Sequence, residues 1–389
     1  MLINLRNALM AGKRLPYDAE VEYLGSTGTQ WIDTGLNSTT DGFCDFEIAF
    51  RKKTISGQYF ASPFGYQYGS TARYAMWGGT SNADTNLYVG VNASNKVATS
   101  IDTAWHLFKL RNGVAVELDG VSTSIGQGTV RGNIGMALFA TNRTSSGLGD
   151  LALVSAQISM FKIWDTDGNL LRDFIPVRKG AVGYLYDRVS GALFGNAGTG
   201  DFQYGPDVVP VEYIESHGTE YIDTGYVLSA SDRIVVQAYF HANDNSGSRV
   251  LCGVGNPKLW ITTGVCRFNG DNSASINNLR QLEAWNSISI DKDYCTCNGT
   301  TVPMSVGTFQ DNSLSLWLFG ANGSTITKTN GRIASCKIYH SDTPVRSFLP
   351  VRVGTEGAMM DVLTRRVYRN AGTGAFAYGN DLKYPIPAE

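Results

Sequence analysis

Val21–Gly35 reads VEYLGSTGTQWIDTG, and Val211–Gly225 reads VEYIESHGTEYIDTG. Ten of the fifteen letters are identical, so the chain carries one module twice. The copies also close alike: FIPVR from Phe174 and NAGTG from Asn196 return as FLPVR from Phe348 and NAGTG from Asn370. Between these landmarks Trp77 aligns with Trp260, Trp105 with Trp285, Leu138 with Leu318 and Lys162 with Lys337, and the spacing narrows in small steps. Loop deletions within a shared fold produce that drift. The chain therefore divides into an N-terminal arm (1–20), a first domain (21–205), a linker (206–210), a second domain (211–379) and a C-terminal tail (380–389).

Within each copy the apolar residues alternate with period two, as in Cys44, Phe46, Ile48, Phe50 and in Leu314, Leu316, Leu318. That is the pattern of strands with one wet face. Asp119–Gly120, Asn298–Gly299 and Asn322–Gly323 favour the positive backbone angles of tight hairpins. About a dozen short strands per copy exceed what one open sheet holds, so two antiparallel sheets pack face to face in each. In TQWIDTG the alternation sends Ile32 and Thr34 to one face and Trp31 and Asp33 to the other. The closing stretch reads as a hairpin around Arg188–Gly191. Because the first and last segments match best between copies, they are expected to pair and close each module. Before the first copy, Leu2, Leu5 and Leu9 at helical spacing, stopped by Gly12 and Pro16, predict a short helical arm.

The bulk numbers exclude several classes. With 17% charged residues, a net charge of -2 and no Lys/Arg cluster, there is no footprint for nucleic acid. No apolar run approaches the roughly 20 residues that span a bilayer. The first twenty residues place their basic residues after the apolar stretch, the reverse of a secretory signal. Of six cysteines, Cys44 is alone in the first copy and five are in the second, which argues for buried free thiols and a reducing compartment of synthesis. His106, His217, His241 and His340 stand singly, without zinc-ligand spacing. No cofactor is expected.

The phrases at Glu22–Gly35, Phe174–Arg178 and Tyr186–Gly200, repeated from Glu212 and from Phe348, resemble the concanavalin A-like lectin and laminin-G-like jelly-roll modules of phage and gut-bacterial surface proteins. The resemblance covers residues 21 to 379. It implies two jelly-roll domains displayed at a surface, often binding glycans and often part of a virion. Expected partners are then other virion proteins, reached through the N-terminal arm, and a cell-surface or mucus glycan, with homo-oligomerisation left open. The expected location is the virion surface after synthesis in the bacterial host cytoplasm. A bacterial carbohydrate-binding adhesin and a glycoside hydrolase are the alternatives. The second copy departs at Met360–Arg365, where Arg365 replaces the glycine of the YDxxSG phrase and puts that hairpin's geometry in question.

Chemistry is sparse. Glu117 and Asp119 approach the carboxylate pair that glycoside hydrolysis requires, but Thr296 and Asn298 replace them in the second copy, and a hairpin turn accounts for Asp119. No catalytic residue is assigned. Asp33 and Asp223 admit either a calcium ligand or a turn hydrogen bond. Tyr66, Tyr68, Tyr74 and Trp77, with Trp260 in the second copy, form the candidate ligand-binding set, because aromatic faces stack on the apolar faces of sugars. Filling of the core is the competing reading for Trp77 and Trp260.

Overall fold

The computed structural model describes residues 15–37, 43–52, 64–68, 72–78, 86–92, 96–111, 115–125, 134–143, 151–153, 155–242, 250–255, 259–262, 265–268, 273–305, 313–323, 329–383 and 385–386. The chain separates into two units, Met1–Asp207 and Val208–Glu389. Each is all-β among the described residues apart from isolated turns, and each contains two sheets built largely from antiparallel pairs.

In the first unit an eleven-stranded sheet centres on Phe43–Lys52, flanked by His106–Arg111 and Ala156–Asp165. From Ala156–Asp165 it runs through Leu170–Lys179 and Val182–Asp187 to Leu193–Phe194. Phe46, Ile48 and Phe50 point inward with Phe108 and Leu110. They meet Ile32, Met76, Val89 and Leu138 from the eight-stranded second sheet in one fully buried cluster. Burying a side chain of this size stabilises by about 1.5–3 kcal/mol, so this shared core holds the layers together. The second unit repeats the order, with Asp232–Phe240 between Ala284–Ile290 and Asn330–His340. Ile234, Val236, Ala238 and Phe240 face Val254, Ile261, Leu316 and Leu318 of its seven-stranded partner sheet. The sheets hold more strands than the sequence suggests, because several are only two residues long.

The repeated phrases close the shells. Ile32, Thr34 and Leu36 are buried while Asp33 and Gly35 are exposed, as the alternation predicts, and the Thr34 hydroxyl donates to the Met136 carbonyl at 2.8 Å. At the other end Asn196 accepts from the Trp31 amide at 3.1 Å and the Gly198 amide at 2.8 Å, and its NH2 donates to the Gly200 carbonyl. Asn370 does the same for Tyr221, Gly372 and Gly374. A Cβ on Gly198 would stand 2.1 Å from the Thr29 carbonyl oxygen, and one on Gly372 2.2 Å from that of Thr219, so only glycine fits either corner.

The hairpin pairs Asp119–Gly120 and Asn298–Gly299 adopt positive φ at both residues; at Asn322–Gly323 only Gly323 does. Arg365 takes φ 59°, close to the 74° of Gly191, so the second copy keeps the hairpin with a strained residue in the glycine's place. The buried carboxylate beneath each hairpin specifies it. Asp187 accepts from the Asp173 and Val189 amides and the Ser190 hydroxyl, and Asp361 from Ser347, Leu363 and Thr364. The second unit's five cysteines are free and buried.

Of the N-terminal arm, the described residues begin at Leu15. The helix expected over Leu2–Leu9 lies outside the described residues, while the arm's last residues belong to the first unit. Ala19–Glu20 pairs with Arg178 and Val177 as a strand of the large sheet, and Tyr17 is buried against Ile175 and Val177. Those two residues leave an apolar patch on the sheet's outer face, and covering it favours extended pairing over a detached arm. The stretch read as a linker is likewise divided. Pro206 and Asp207 bond to Glu22 and Val21, and Val208–Pro210 is a strand paired with Val351–Val353.

Candidate functional site

The outward side of the second unit's large sheet carries a row of functional side chains set by strand register. Trp285 stands opposite Tyr239, Tyr239 opposite Arg332, and Arg332 opposite Glu215 across four adjacent strands. Alternation gives all four the parity opposite to buried Phe240, Asn286, Ile333 and Ile214. Tyr213, two residues before Glu215, joins from the repeated phrase: its ring centroid is 6.0 Å from that of Trp285, and Tyr239 meets Trp285 edge-on at 5.7 Å. The Arg332 guanidinium lies over both tyrosines, 4.6 Å from Tyr213 and 4.9 Å from Tyr239. Trp285 remains 42% exposed, leaving much of its indole open to a ligand.

Polar groups rim the platform. Glu215 accepts from Arg332 Nε at 2.9 Å and meets His241 Nε2 at 2.8 Å. Glu283 accepts from the Tyr239 hydroxyl at 2.8 Å and from the Ala242 amide. It sits at φ 51°, a left-handed conformation that a glutamate adopts only under restraint. The Ala242 amide and then the Tyr239 hydroxyl hold the Glu283 carboxyl below the usual carboxylate range, and the same contact with Glu283 raises Tyr239. Glu283 is thereby kept ionised and accepting. A glycosidase acid needs the opposite shift.

The first unit has a counterpart with its groups exchanged. Tyr23 and Trp105 take the places of Tyr213 and Trp285, with centroids 6.4 Å apart. Arg51 lies over both rings, 4.9 Å from Trp105 and 5.4 Å from Tyr23, and its Nε donates to the Gln157 side-chain oxygen. Register sets Arg51 opposite Gln157 and Gln157 opposite Gly25. Arg51, Gln157 and Gly25 thus hold the positions of Tyr239, Arg332 and Glu215.

For the aromatic set read from the sequence, the backbone places Tyr66 opposite Tyr74 and Tyr68 opposite Ala72. Trp77, opposite Tyr88, has the other register parity from Tyr74, and Trp260 lies in the second unit opposite Gly253 and Arg267. The side chains of all five lie outside the described residues. Sequence reasoning missed Tyr213, Glu215, Tyr239, His241, Glu283, Trp285 and Arg332. The alignment of Trp105 with Trp285 and the tyrosine shared by both opening phrases were the available signals.

The other candidates are structurally employed. Glu117 pairs with Lys109 at 3.0 Å. Asp119 occupies its hairpin at φ 47° and accepts from the Leu107 amide while meeting His106. Asp33 and Asp223 accept from the amides of Gly35 and Gly225, two residues on, each at 2.9 Å. Among the described residues no group of three or more His, Cys, Asp or Glu could hold a metal ion, and no helix is long and apolar enough to cross a membrane.

Fold and site together define a class: tandem β-sandwich modules that each carry an aromatic platform on the outside of the larger sheet. No protein-family model matches the chain, and no curated protein does. The chain is similar to the solved structure of the mouse laminin alpha1 chain, domains LG4-5, at 12% identity and a TM-score of 0.29, over 97% of this chain and 99% of that one. The assignment of fold rests on the strand registers above.

Proposed function

We propose that the chain is a non-catalytic saccharide-binding protein displayed on a bacteriophage particle as a decoration, fibre or receptor-binding component. The observation that carries the binding part is the Trp285 platform, where an open indole is bordered by Tyr213 and Tyr239 and by ionised, hydrogen-bonding groups. Sugar rings offer an apolar face to stack and an equatorial girdle of hydroxyls to bond, and this arrangement meets both needs. The virion part is supported by the likeness of the repeated phrases to phage surface modules, with particle proteins and the first residues of the chain as its docking contacts. Two platforms on one chain gain avidity on a repetitive surface through effective concentration.

The test is a glycan array probed with the full chain. Saturable binding that falls at least tenfold in Trp285→Ala, with the melting profile retained, is the expected result. If no bound glycan responds to that substitution the platform is removed, and the absence of binding to any glycan removes the saccharide reading. Mass spectrometry of purified particles tests display; consistent absence of the chain overturns it.

A further inference from the structure

The two platforms keep the same aromatic pair and differ in charge, and that difference assigns them different ligands. In the second unit the cation is neutralised: Arg332 Nε is 2.9 Å from Glu215 Oε2. Glu283 then adds a second carboxylate beside Trp285, with His241 between the two acids at 2.8 Å from Glu215 and 3.7 Å from Glu283. Two carboxylates, Glu215 and Glu283, thus stand against the single Arg332 guanidinium. In the first unit the same register positions hold Arg51, Gln157 and Gly25. The only described hydrogen-bond partner of Arg51 is the neutral amide of Gln157. Asp102 and Asp119 bond to His106, at 3.2 and 2.8 Å. The charged group in contact with these two rings is the Arg51 guanidinium.

Geometry reinforces the contrast. Arg51 lies over Trp105 and Tyr23, so a guanidinium covers the rings against which a neutral sugar would stack. The ring contacts and the Nε bond to Gln157 fix its plane in advance, and the terminal NH2 groups form the fork that matches a carboxylate. Gly25 belongs to the same device. A Cβ there would come within 3.2 Å of Gln157 Cγ, and Glu215 at the matching place would bring the very carboxylate that neutralises the cation in the second unit.

We propose that the first unit binds saccharides bearing a carboxylate through Arg51, whereas the second binds neutral saccharides by stacking on Trp285 with Glu283 accepting from their hydroxyls. This rests on the saccharide reading above and goes further by dividing the ligands by charge. A ligand carboxylate would repel the acids of the second platform and pair with the cation of the first.

The experiment uses the full chain, wild type and as Arg51→Gln and Trp285→Ala, on an array of matched glucose and glucuronic acid oligomers and galactose and galacturonic acid oligomers. Each variant is first checked for an unchanged melting profile. Arg51→Gln is expected to lower uronate binding at least tenfold and leave neutral binding within twofold, with Trp285→Ala doing the reverse. Uronate binding is expected to weaken between 50 and 500 mM NaCl while neutral binding holds. Loss of both classes in one variant, or uronate binding that survives Arg51→Gln, overturns the division while leaving saccharide binding intact. If the wild type binds no member of a broad array, the underlying reading fails and the division falls with it.

Discussion

The amide of Trp31 donates to the side-chain oxygen of Asn196 at 3.1 Å, across 165 residues of chain. The same bond joins Tyr221 to Asn370 across 149. The two most repeated phrases therefore meet in space, and their repetition records how the shell is shut.

Removing that contact is expected to loosen one unit and spare the other. Asn196→Ala abandons the Trp31 and Gly198 amides, which costs about 1–3 kcal/mol if they find no other partner. Calorimetry on the full chain should show the first unit's transition shifted down and the second's in place, with Asn370→Ala giving the mirror image. Equal shifts of both transitions would contradict the assignment.

The glycine corners give a sharper contrast. Gly198→Ala must move the Thr29 carbonyl, whereas Gly168→Ala meets nothing within 4 Å and carries only the strain of φ 83°. The expected cost is about 1–2 kcal/mol for Gly168, and markedly more for Gly198. Comparable urea midpoints for the two variants would refute this.

At the YDxxSG hairpin the two copies differ by a natural substitution. Because Arg365 already holds a left-handed angle, Gly191→Ala is expected to fold and to lose about 1–2 kcal/mol, read as a modest fall in the first unit's melting temperature. Loss of the folded unit would show that more than backbone strain separates the copies.

A pH dependence is expected of the first unit. Bonding to Asp119, and more weakly to Asp102, raises His106 above its ordinary value against the opposing effect of burial. A raised folded-state pKa contributes stability that is complete below about pH 6.5 and is lost as pH rises through the folded value. The first transition should therefore fall relative to the second on going from pH 6 to 9. His106→Asn, which installs the residue found at Asn286, should remove the difference.

The five buried cysteines should ignore a water-soluble thiol reagent until the second unit unfolds. Burial pushes the Cys336 thiol up to about 12 and Cys297 to about 11, so neither is an effective nucleophile near neutrality. Rapid labelling of more than one thiol in native buffer would contradict the packing.

The fold was largely legible. Period-two alternation at Ile32–Leu36 and the Asp119–Gly120 and Asn298–Gly299 turns carry local physics that survives in any context. The platform was not, because Arg332 and Glu215 become neighbours only through the register of strands distant in sequence. The pairing of the arm's last residues was not legible either: nothing in the sequence marks the outer patch at Ile175 and Val177 on which Tyr17 packs.

The distance in sequence between each opening phrase and its closing phrase sets a schedule for synthesis. Neither shell can seal until its NAGTG corner has left the ribosome, so nearly the whole module must wait with its inner strands uncovered. The first copy finishes before the second begins, which keeps two equivalent sets of strands, sharing their opening and closing phrases, from trading partners while both are still open.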